Sequence, residues 1–231
     1  MSINEISIII PVLNEEKQIG SIIRRLTSLQ AGSVKEIVVV DGGSDDGTVL
    51  EAESAGATVV SSEKGRAKQM NTGARIAKGD ILYFLHADTE PPKFFDREIN
   101  SAIEKEYSFG CFRLEFDWGH PLLKFYSWFT RFRRTELRFG DQSLFATRTV
   151  FEKAGGFDED LIVMEDQEIY RRLHQYGAFY LSERSVITSA RKYEEIGPVK
   201  LQFLFSIVWL GYYFGIKQNT LVNFYRAFIL P

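Results

Sequence analysis

Residues 7–16 read SIIIPVLNEE, a run of isoleucines that ends at a proline and is followed by polar and acidic residues. A short Ile/Val run is typical of a strand that is buried on both faces of a parallel sheet. A second run of this kind, EIVVVD, occupies residues 36–41. The two runs predict neighbouring strands at the start of an α/β fold.

The segment between these runs has the spacing of an amphipathic helix. Asn14 is the predicted helix cap, and Glu15 and Glu16 fall in the predicted first turn, where the helix dipole favours acidic side chains. The apolar positions, three or four residues apart, are Ile19, Ile22, Ile23, Leu26 and Leu29. The chain therefore begins with a strand–helix–strand unit.

The same alternation continues to residue 85. Helices are predicted at 48–55 and 65–77, and strands at 58–61 and 80–85. Four strands that alternate with three helices are typical of a doubly wound, mostly parallel central sheet flanked by helices. We therefore expect an α/β fold.

The second half of the chain is of mixed type. Residues 112–118 alternate apolar and charged side chains, which predicts a half-exposed strand, and helices are predicted at 149–154 and 166–176. We expect one domain at 1–190, made of two halves (1–90 and 91–190) that share a core. A hydrophobic helical C-terminal appendage at 191–231 is expected to follow it.

The composition is that of an ordinary globular protein. Hydrophobic residues make up 45% of the 231 residues and charged residues 26%, and the net charge of −3 argues against a general nucleic-acid-binding protein. The single cysteine, Cys111, excludes an internal disulfide and a Cys-rich metal site. The N-terminus does not have the pattern of a signal peptide, so we expect a cytoplasmic protein.

Two segments are rich in aromatic residues: LLKFYSWFTRF at 122–132 and LQFLFSIVWLGYYFGI at 201–216. The second carries no charge, but it is shorter than the roughly 20 apolar residues of a membrane-spanning helix. Three alternatives stay open for it: a spanning helix, peripheral contact with a membrane surface or a lipid, and packing in the protein or at a homodimer interface. Peripheral contact would place the protein at the inner face of the cell membrane.

Polar residues follow three of the predicted strands. In an open parallel sheet the carboxyl ends of the strands share one edge, where loops and helix N-termini bind ligands. The first strand is followed by Asn14 and Glu15, the second by the loop DGGSDDGT at 41–48, and the fourth by His86 and Asp88. We expect these groups to converge on one crevice.

The loop at 41–48 is not a known phosphate-binding motif. It lacks the Gly-Lys-Ser/Thr of a P-loop, and it matches the glycine loop of a dehydrogenase or methyltransferase only weakly. The carboxylate of Asp41 can accept hydrogen bonds from the hydroxyls of a ribose or from a base N–H. The alternative for Asp41 is a structural role in the turn.

Five segments, in this order, resemble the family 2 glycosyltransferases: SIIIPVLNEE, EIVVVDGGSDDGT, GRAKQMNTGARIAKGDILYFLHAD, GDQSLFATRTVFEKAGGFDED and MEDQEIYRRL. The resemblance covers residues 6–187. It implies the GT-A fold and transfer of a sugar, with inversion, from a nucleotide-diphosphate donor such as a UDP- or GDP-sugar. The acceptor would be a sugar, a lipid-linked molecule or another small molecule.

The resemblance also implies roles for individual residues. Residues 1–90 would form the nucleotide-binding half and residues 91–190 the acceptor half. Asp141 and Gln142 would bind the acceptor, and Arg191 the diphosphate. The nucleotide set would be Pro11, Asn14, Glu15, Asp41, Asp45 and Ala87. Arg66, at the start of the third predicted helix, is also a candidate nucleotide residue, and two alternatives stay open for it: contact with a phosphate and a solvated position at the helix start.

In the family a divalent metal binds at an Asp-x-Asp-like strand end. By position Asp88 would bind Mg²⁺ or Mn²⁺, which neutralises the charge of the departing diphosphate. This sequence departs from the pattern because His86 stands where the first Asp is common. Three alternatives stay open for His86: a metal ligand, a phosphate donor or a packing residue.

The pair Glu165–Asp166 resembles the catalytic base of the family. Asp166 would accept the proton of the acceptor hydroxyl as that oxygen attacks the anomeric carbon from the face opposite the leaving group. Asp166 also falls at the start of a predicted helix, where a carboxylate is favoured by the dipole alone. Helix capping is therefore the alternative.

Two other functions fit parts of this pattern. A nucleotidyltransferase also uses an α/β sheet, acidic residues and Mg²⁺, but it would normally have a basic glycine-rich loop where this chain has PVLNEE. A non-catalytic protein that binds nucleotide sugars or a membrane would not need both Asp88 and Asp166. The sequence therefore favours an active, metal-dependent glycosyltransferase.

Overall fold

The structure is a computed structural model that describes residues 4–228. Residues 1–3 of the predicted domain and residues 229–231 of the predicted appendage lie outside the described residues. The strands are β1 (Ile6–Val12), β2 (Val34–Asp41), β3 (Thr58–Ser61), β4 (Ile81–Phe84), β5 (Thr89–Glu90), β6 (Tyr107–Phe116), β7 (Phe145–Thr147) and β8 (Ala178–Thr188). The α-helices are α1 (Glu16–Leu29), α2 (Thr48–Ser54), α3 (Arg66–Ile76), α4 (Phe95–Glu104), α5 (Pro121–Trp128), α6 (Arg148–Lys153), α7 (Glu165–Leu173), α8 (Arg191–Ile196), α9 (Pro198–Tyr213) and α10 (Gln218–Phe228). Short 3₁₀ turns lie at Phe129–Arg131, Thr135–Leu137 and Gly140–Gln142.

The strands form one mixed sheet in the order β3-β2-β1-β4-β7-β6-β8-β5. β1 pairs in parallel with β2 and β4, β2 with β3, and β6 with β8. β7 pairs antiparallel with both β4 and β6 and so joins the two halves of the chain. The predicted α/β architecture, a mostly parallel sheet flanked by helices, is confirmed.

The register brings the candidate site to one edge of the sheet. Val12, the last residue of β1, lies opposite Asp41, and Ile9 lies opposite Phe84 at the end of β4. The carboxyl ends of β1, β2 and β4 therefore share an edge. Because β7 runs antiparallel to β4, the turn Gly140–Gln142 that precedes β7 reaches the same edge.

Two hydrophobic layers cover the faces of the sheet. Ile8 and Ile10 of β1 belong to one layer, with residues of α1 and α4, whereas Ile9 belongs to the other, with residues of α3, α6 and α7. This alternation is the period of two of a strand with both faces buried. The continuous apolar run at the start of the chain is explained in this way.

Gly73 allows α3 to lie directly on the sheet. A Cβ at this position would stand 2.4 Å from Cγ2 of Ile9 and 3.0 Å from Cγ2 of Val40. No side chain fits at those distances. Because α3 follows the parallel strand β3, its N-terminus, which bears Arg66, lies at the edge where the strands end.

The elements of the first half agree with the predictions to within two residues at most boundaries, but the predicted cap of α1 is wrong. Glu15, not Asn14, is the N-cap residue, and its side chain does not cap the helix. Asn14 has a φ of 56° and binds the neighbouring loop instead. In the second half, β6 begins at Tyr107, and α7 ends at Leu173, earlier than predicted.

The last three helices are packed partly on a small core of their own. Leu201, Leu204 and Val208 of α9 form this core with half-buried residues of α8, α10 and the segment before α7. Among residues 4–228, no helix combines the length and the apolar character that crossing a membrane requires. Exposed aromatic residues remain on α9 and on α5.

Candidate active site

Hydrogen bonds join the loops that follow β1 and β2. The backbone N–H of Asn14 donates to Oγ of Ser44 (2.9 Å), and the N–H of Asp45 donates to Oδ1 of Asn14 (3.0 Å). The N–H of Glu15 donates to Oγ1 of Thr48 (2.8 Å). The two loops therefore form one rigid wall at the edge of the sheet.

Asp41 organises the second of these loops from within. Its buried carboxylate accepts hydrogen bonds from the N–H of Gly43 (3.1 Å) and from the N–H and hydroxyl of Ser44 (3.1 and 2.5 Å). This is the structural role that the sequence left open for Asp41. Asp45, in contrast, is exposed at the surface of the loop.

Gln69 fixes the floor of the site, a role that the sequence did not suggest. It is a buried residue of α3, and its side-chain Nε2 donates to the carbonyls of Val12 and Val40, each at 2.8 Å. A Cβ on Gly42 would stand 3.0 Å from this amide. In the sequence, the only indication of this role is that a polar residue, Gln69, falls on the inward face of the predicted third helix.

His86 is paired with Asp141 across 55 residues of sequence. Nδ1 of His86 lies 2.9 Å from Oδ1 of Asp141. Burial and Arg66 act to lower the pKa of His86, but the hydrogen bond and charge of Asp141 outweigh them, so this pKa is raised. Burial acts to raise the pKa of Asp141, and His86 outweighs it, so this pKa is lowered. Since an ionised carboxylate can only accept, Nδ1 carries the proton and Nε2 faces away from Asp141.

Gly140 lies between Asp166 and His86. A Cβ at this position would stand 2.2 Å from Oδ2 of Asp166 and 2.8 Å from Cε1 of His86. Both side chains therefore lie against the same side of this turn. His86 belongs to the short segment between β4 and β5 that also bears Asp88, whereas Asp166 belongs to the first turn of α7.

Arg66 at the start of α3 faces the N-terminus of α7. Its Nη1 lies 3.3 Å from Oε1 of Glu165 and 4.0 Å from Oδ2 of Asp166. The side chain of Glu165 is only 2% exposed, whereas that of Arg66 is 46% exposed. One guanidinium therefore holds both carboxylates of the predicted catalytic pair, and part of it remains open to a ligand.

Asp88, Glu15 and Arg191 form a second charged group. Nη2 of Arg191 lies 4.0 Å from Oε2 of Glu15. Burial, and less strongly the charge of Asp88, raises the pKa of Glu15, while Arg191 acts against this. One predicted nucleotide residue, Glu15, is thus within electrostatic reach of the predicted metal residue Asp88 and of the predicted diphosphate residue Arg191.

Gln142, one of the two predicted acceptor residues, lies inside the turn. Gln142 is fully buried, its Nε2 donates to the carbonyl of Phe112 (3.1 Å), and its Oε1 accepts from the N–H of Phe139 (3.1 Å). Both ends of the side-chain amide are therefore hydrogen-bonded to the backbone and stabilise the turn. Pro11 lies within β1 and Ala87 is buried, so each can offer a ligand little more than its backbone.

Burial also shifts the pKa values of the carboxylates at the start of α7. Burial and the charge of Asp166 raise the pKa of Glu165 to about 7, although Arg66 acts to lower it. Burial raises the pKa of Asp166 as well, against Arg66 and His86. A raised pKa makes an ionised carboxylate a better proton acceptor.

Glu165→Gln is expected to change how stability depends on pH. A buried acid with a raised pKa stabilises the fold while it is protonated, below its ordinary value of 4.5, and this contribution is lost as the pH rises through about 7. The wild-type melting temperature should therefore fall relative to that of Glu165→Gln between about pH 5 and pH 8. Differential scanning calorimetry measures this.

Glu53→Gln is the control, because Glu53 is an exposed residue of α2. Its melting temperature should keep a constant offset from the wild type over the same pH range. A constant offset for Glu165→Gln as well would contradict the raised pKa.

Comparison with known proteins identifies the family. The model of glycosyl transferase family 2 matches residues 7–153. Glucosyl-3-phosphoglycerate synthase of Mycolicibacterium paratuberculosis is 36% identical over 96 residues, which are 38% of this chain and 29% of that protein. The match thus spans less than a third of the curated relative's length.

Solved structures share the fold. The mannosyltransferase of Pyrobaculum calidifontis in complex with GDP-Man and Mn²⁺ matches with a TM-score of 0.72 and 18% identity, over 90% of this chain and 63% of that chain. Glucosyl-3-phosphoglycerate synthase of Mycobacterium tuberculosis in complex with Mg²⁺ and UDP matches with a TM-score of 0.62 and 20% identity, over 93% and 80% of the two chains. The predicted GT-A fold is confirmed. Since the family model covers more than half of the 231 residues, this chain belongs to glycosyl transferase family 2.

Proposed function

We propose that the protein is an inverting glycosyltransferase that moves a sugar from a UDP- or GDP-sugar to an acceptor hydroxyl. The observation that carries this proposal is the turn at Gly140, where Asp166 meets the segment that bears His86 and Asp88. Membership of family 2 favours sugar transfer over nucleotidyl transfer. The solved relatives named above hold GDP-Man with Mn²⁺, or UDP with Mg²⁺.

The nucleotide would lie against the wall formed by the loops after β1 and β2. Asn14, Glu15 and Asp45 present polar groups at the surface of this wall. Asp41 supports the wall from inside, through the backbone N–H groups of Gly43 and Ser44. The base and ribose would therefore meet a preorganised surface, which lowers the entropic cost of binding.

The residues after β4 fit a divalent metal that arrives with the donor. Among the described residues, no group of three or more His, Cys, Asp or Glu side chains is placed to hold a metal by itself. Mg²⁺ is commonly bound by one or two carboxylates and by phosphate oxygens and water, and Asp88 supplies such a carboxylate. When bound, the metal would neutralise charge on the leaving diphosphate. His86, with Nδ1–H held by Asp141, would present the lone pair of Nε2 to the metal or, when both ring nitrogens are protonated, would donate from Nε2 to a phosphate oxygen.

Asp166 would act as the general base. Its ionised carboxylate accepts the proton of the acceptor hydroxyl while that oxygen forms a bond to the anomeric carbon and the bond from this carbon to the diphosphate oxygen breaks. Arg66 and the turn at Gly140 fix the position of the carboxylate. Of the two predicted acceptor residues, Asp141 is the one with a half-exposed side chain beside this turn, and it would contact the acceptor.

A thermal-shift screen of nucleotide sugars, with and without Mn²⁺, tests donor binding. At a concentration of 100 Kd the matching donor should stabilise the protein by about 2.7 kcal/mol. For a chain of this size that corresponds to a rise in melting temperature of about 5–10 °C. Asp88→Asn should lose the part of the shift that requires Mn²⁺.

A transfer assay on the stabilising donor completes the test. The product should carry the inverted anomeric configuration, which the coupling constant of its anomeric proton reports. Failure of every UDP- and GDP-sugar to raise the melting temperature in the presence of Mn²⁺ would refute the proposed donor class. A retained configuration would refute the single displacement.

A further inference from the structure

Helix α9 is apolar on two sides. Its inner side packs Leu201, Leu204 and Val208 into the small C-terminal core. Its outer side exposes Phe203 (66%), Leu210 and, at its end, Phe214 (82%). These outer positions are seven and four residues apart, so they lie on one side of the helix. A helix at the surface of a soluble protein normally has a polar outer side, and α9 does not.

A second apolar stripe lies on the neighbouring element. Phe125 and Trp128 of α5 and Phe132 after the following 3₁₀ turn are exposed, at spacings of three and four residues. α5 contacts α9. The guanidinium of Arg131 lies 5.3 Å from the centre of the Trp128 ring. We call these two stripes (Phe125, Trp128, Phe132, Phe203, Leu210 and Phe214) the aromatic face.

The segments that carry the aromatic face are strongly basic. Residues 121–139 and 197–228 contain eight Lys and Arg and one acidic residue, Glu136. The whole chain has 28 Lys and Arg and 31 Asp and Glu, which leaves 20 basic against 30 acidic residues elsewhere. Seven of the eight cations are exposed, and only Arg138 is buried. These two segments thus carry a net positive charge beside the exposed aromatic side chains, although the whole chain is acidic.

We propose that the aromatic face docks on an anionic lipid surface. Aromatic and aliphatic side chains enter the boundary between headgroups and acyl chains, and neighbouring Lys and Arg attract anionic headgroups. α9 has 16 residues and is therefore about 24 Å long, short of the roughly 30 Å hydrocarbon core, so it would lie along the surface. A two-fold dimer through this face would instead bring two equal sets of cations together, which repel each other.

Docking would position the candidate active site relative to the membrane. Nε1 of Trp209 on α9 donates to the carbonyl of Glu136 (3.2 Å), and the hydroxyl of Tyr213 donates to Oε1 of Gln167 (3.0 Å). Gln167 follows Asp166 on α7. The helix that rests on the lipid is therefore bonded to the helix that bears the predicted base. The inference concerns where the protein works and does not require the proposed donor.

Flotation of the full chain with vesicles tests this inference. The protein should float with vesicles of phosphatidylcholine and phosphatidylglycerol and stay at the bottom with phosphatidylcholine alone, and added salt should release it. Arg133→Gln should lower the partition coefficient about fivefold, since a basic residue near such a surface contributes about 1 kcal/mol. Phe203→Ser should also lower it.

Two variants outside the face are matched controls. Leu50→Ser removes an apolar side chain of α2 that is 68% exposed, close to the value for Phe203, and Arg24→Gln removes an exposed cation of α1. Both should float like the wild type. Equal flotation with neutral and anionic vesicles, no flotation at all, or equal losses for the control variants would overturn the proposal. So would a dimer, detected by sedimentation velocity, that Phe203→Ser dissociates.

Discussion

Asp166→Asn is expected to abolish most sugar transfer and to leave donor binding intact. The amide has nearly the shape of the carboxylate but cannot accept the proton of the acceptor hydroxyl. Loss of a general base typically costs about 10²–10⁴-fold in rate, so kcat should fall by this factor. The rise in melting temperature that the donor causes should be unchanged. Steady-state kinetics and thermal shift on the same sample measure both.

Asp160→Asn is the control for this variant. Asp160 is an exposed residue of the loop that leads to α7, and the same chemical change there should alter neither quantity. Activity of Asp166→Asn equal to the wild type would remove Asp166 from the role of base. Loss of the donor-induced shift would reassign Asp166 to donor binding.

Gly140→Ala is expected to damage catalysis through geometry alone. The added methyl group would stand 2.2 Å from Oδ2 of Asp166 and 2.8 Å from Cε1 of His86, distances that force both side chains to move. A displacement of roughly 1 Å at a reacting group can cost about 10²-fold in rate. Gly140 is not among the described residues with a positive φ, so alanine introduces no backbone strain. We therefore expect a fall in kcat of about 10²-fold with a small change in melting temperature.

Gly119→Ala makes the same substitution where there is room. A Cβ at Gly119 would meet only the end of the Lys124 side chain, at 3.8 Å. This variant should keep wild-type kcat and stability. A Gly140→Ala enzyme with unchanged kcat would show that the contact between this turn and Asp166 has no part in the reaction.

The first half of the fold could be predicted because each element carries its own local pattern. β1 and β2 are Ile/Val runs with both faces buried, and α1 buries one clear stripe. β8 could not be predicted, since polar residues interrupt its apolar positions and its pairing with β6 shifts register after Cys111. β7 has three residues, too few for any period to be visible. Its place in the sheet is set by its neighbours.

The candidate site could be predicted loop by loop but not as a set of contacts. The strand ends after β1, β2 and β4 were expected to share an edge, and they do. Arg66 and Glu165 are 99 residues apart, and no local pattern pairs them. The contact of His86 with Asp141 and the position of Gly140 likewise depend on the antiparallel insertion of β7. Such contacts follow from topology, which short motifs do not encode.

The two hydrogen bonds from Gln69 hold the strands beneath the candidate site without using the loop that lines it. The amide ties β1 to β2 beneath the loops, at the carbonyls of Val12 and Val40, and does not use the residues from Gly43 to Gly47. The exposed side chains of this loop, such as that of Asp45, can then be exchanged while the two strands stay joined, provided that Gly43, with its φ of 95°, and Gly47, where a Cβ would stand 2.5 Å from Oε1 of Glu16, are kept. A graft of this loop from a relative that has both glycines and another nucleotide preference should exchange the preference and leave the free energy of unfolding nearly unchanged. Nucleotide preference can therefore change through this loop while the stability of the fold is kept.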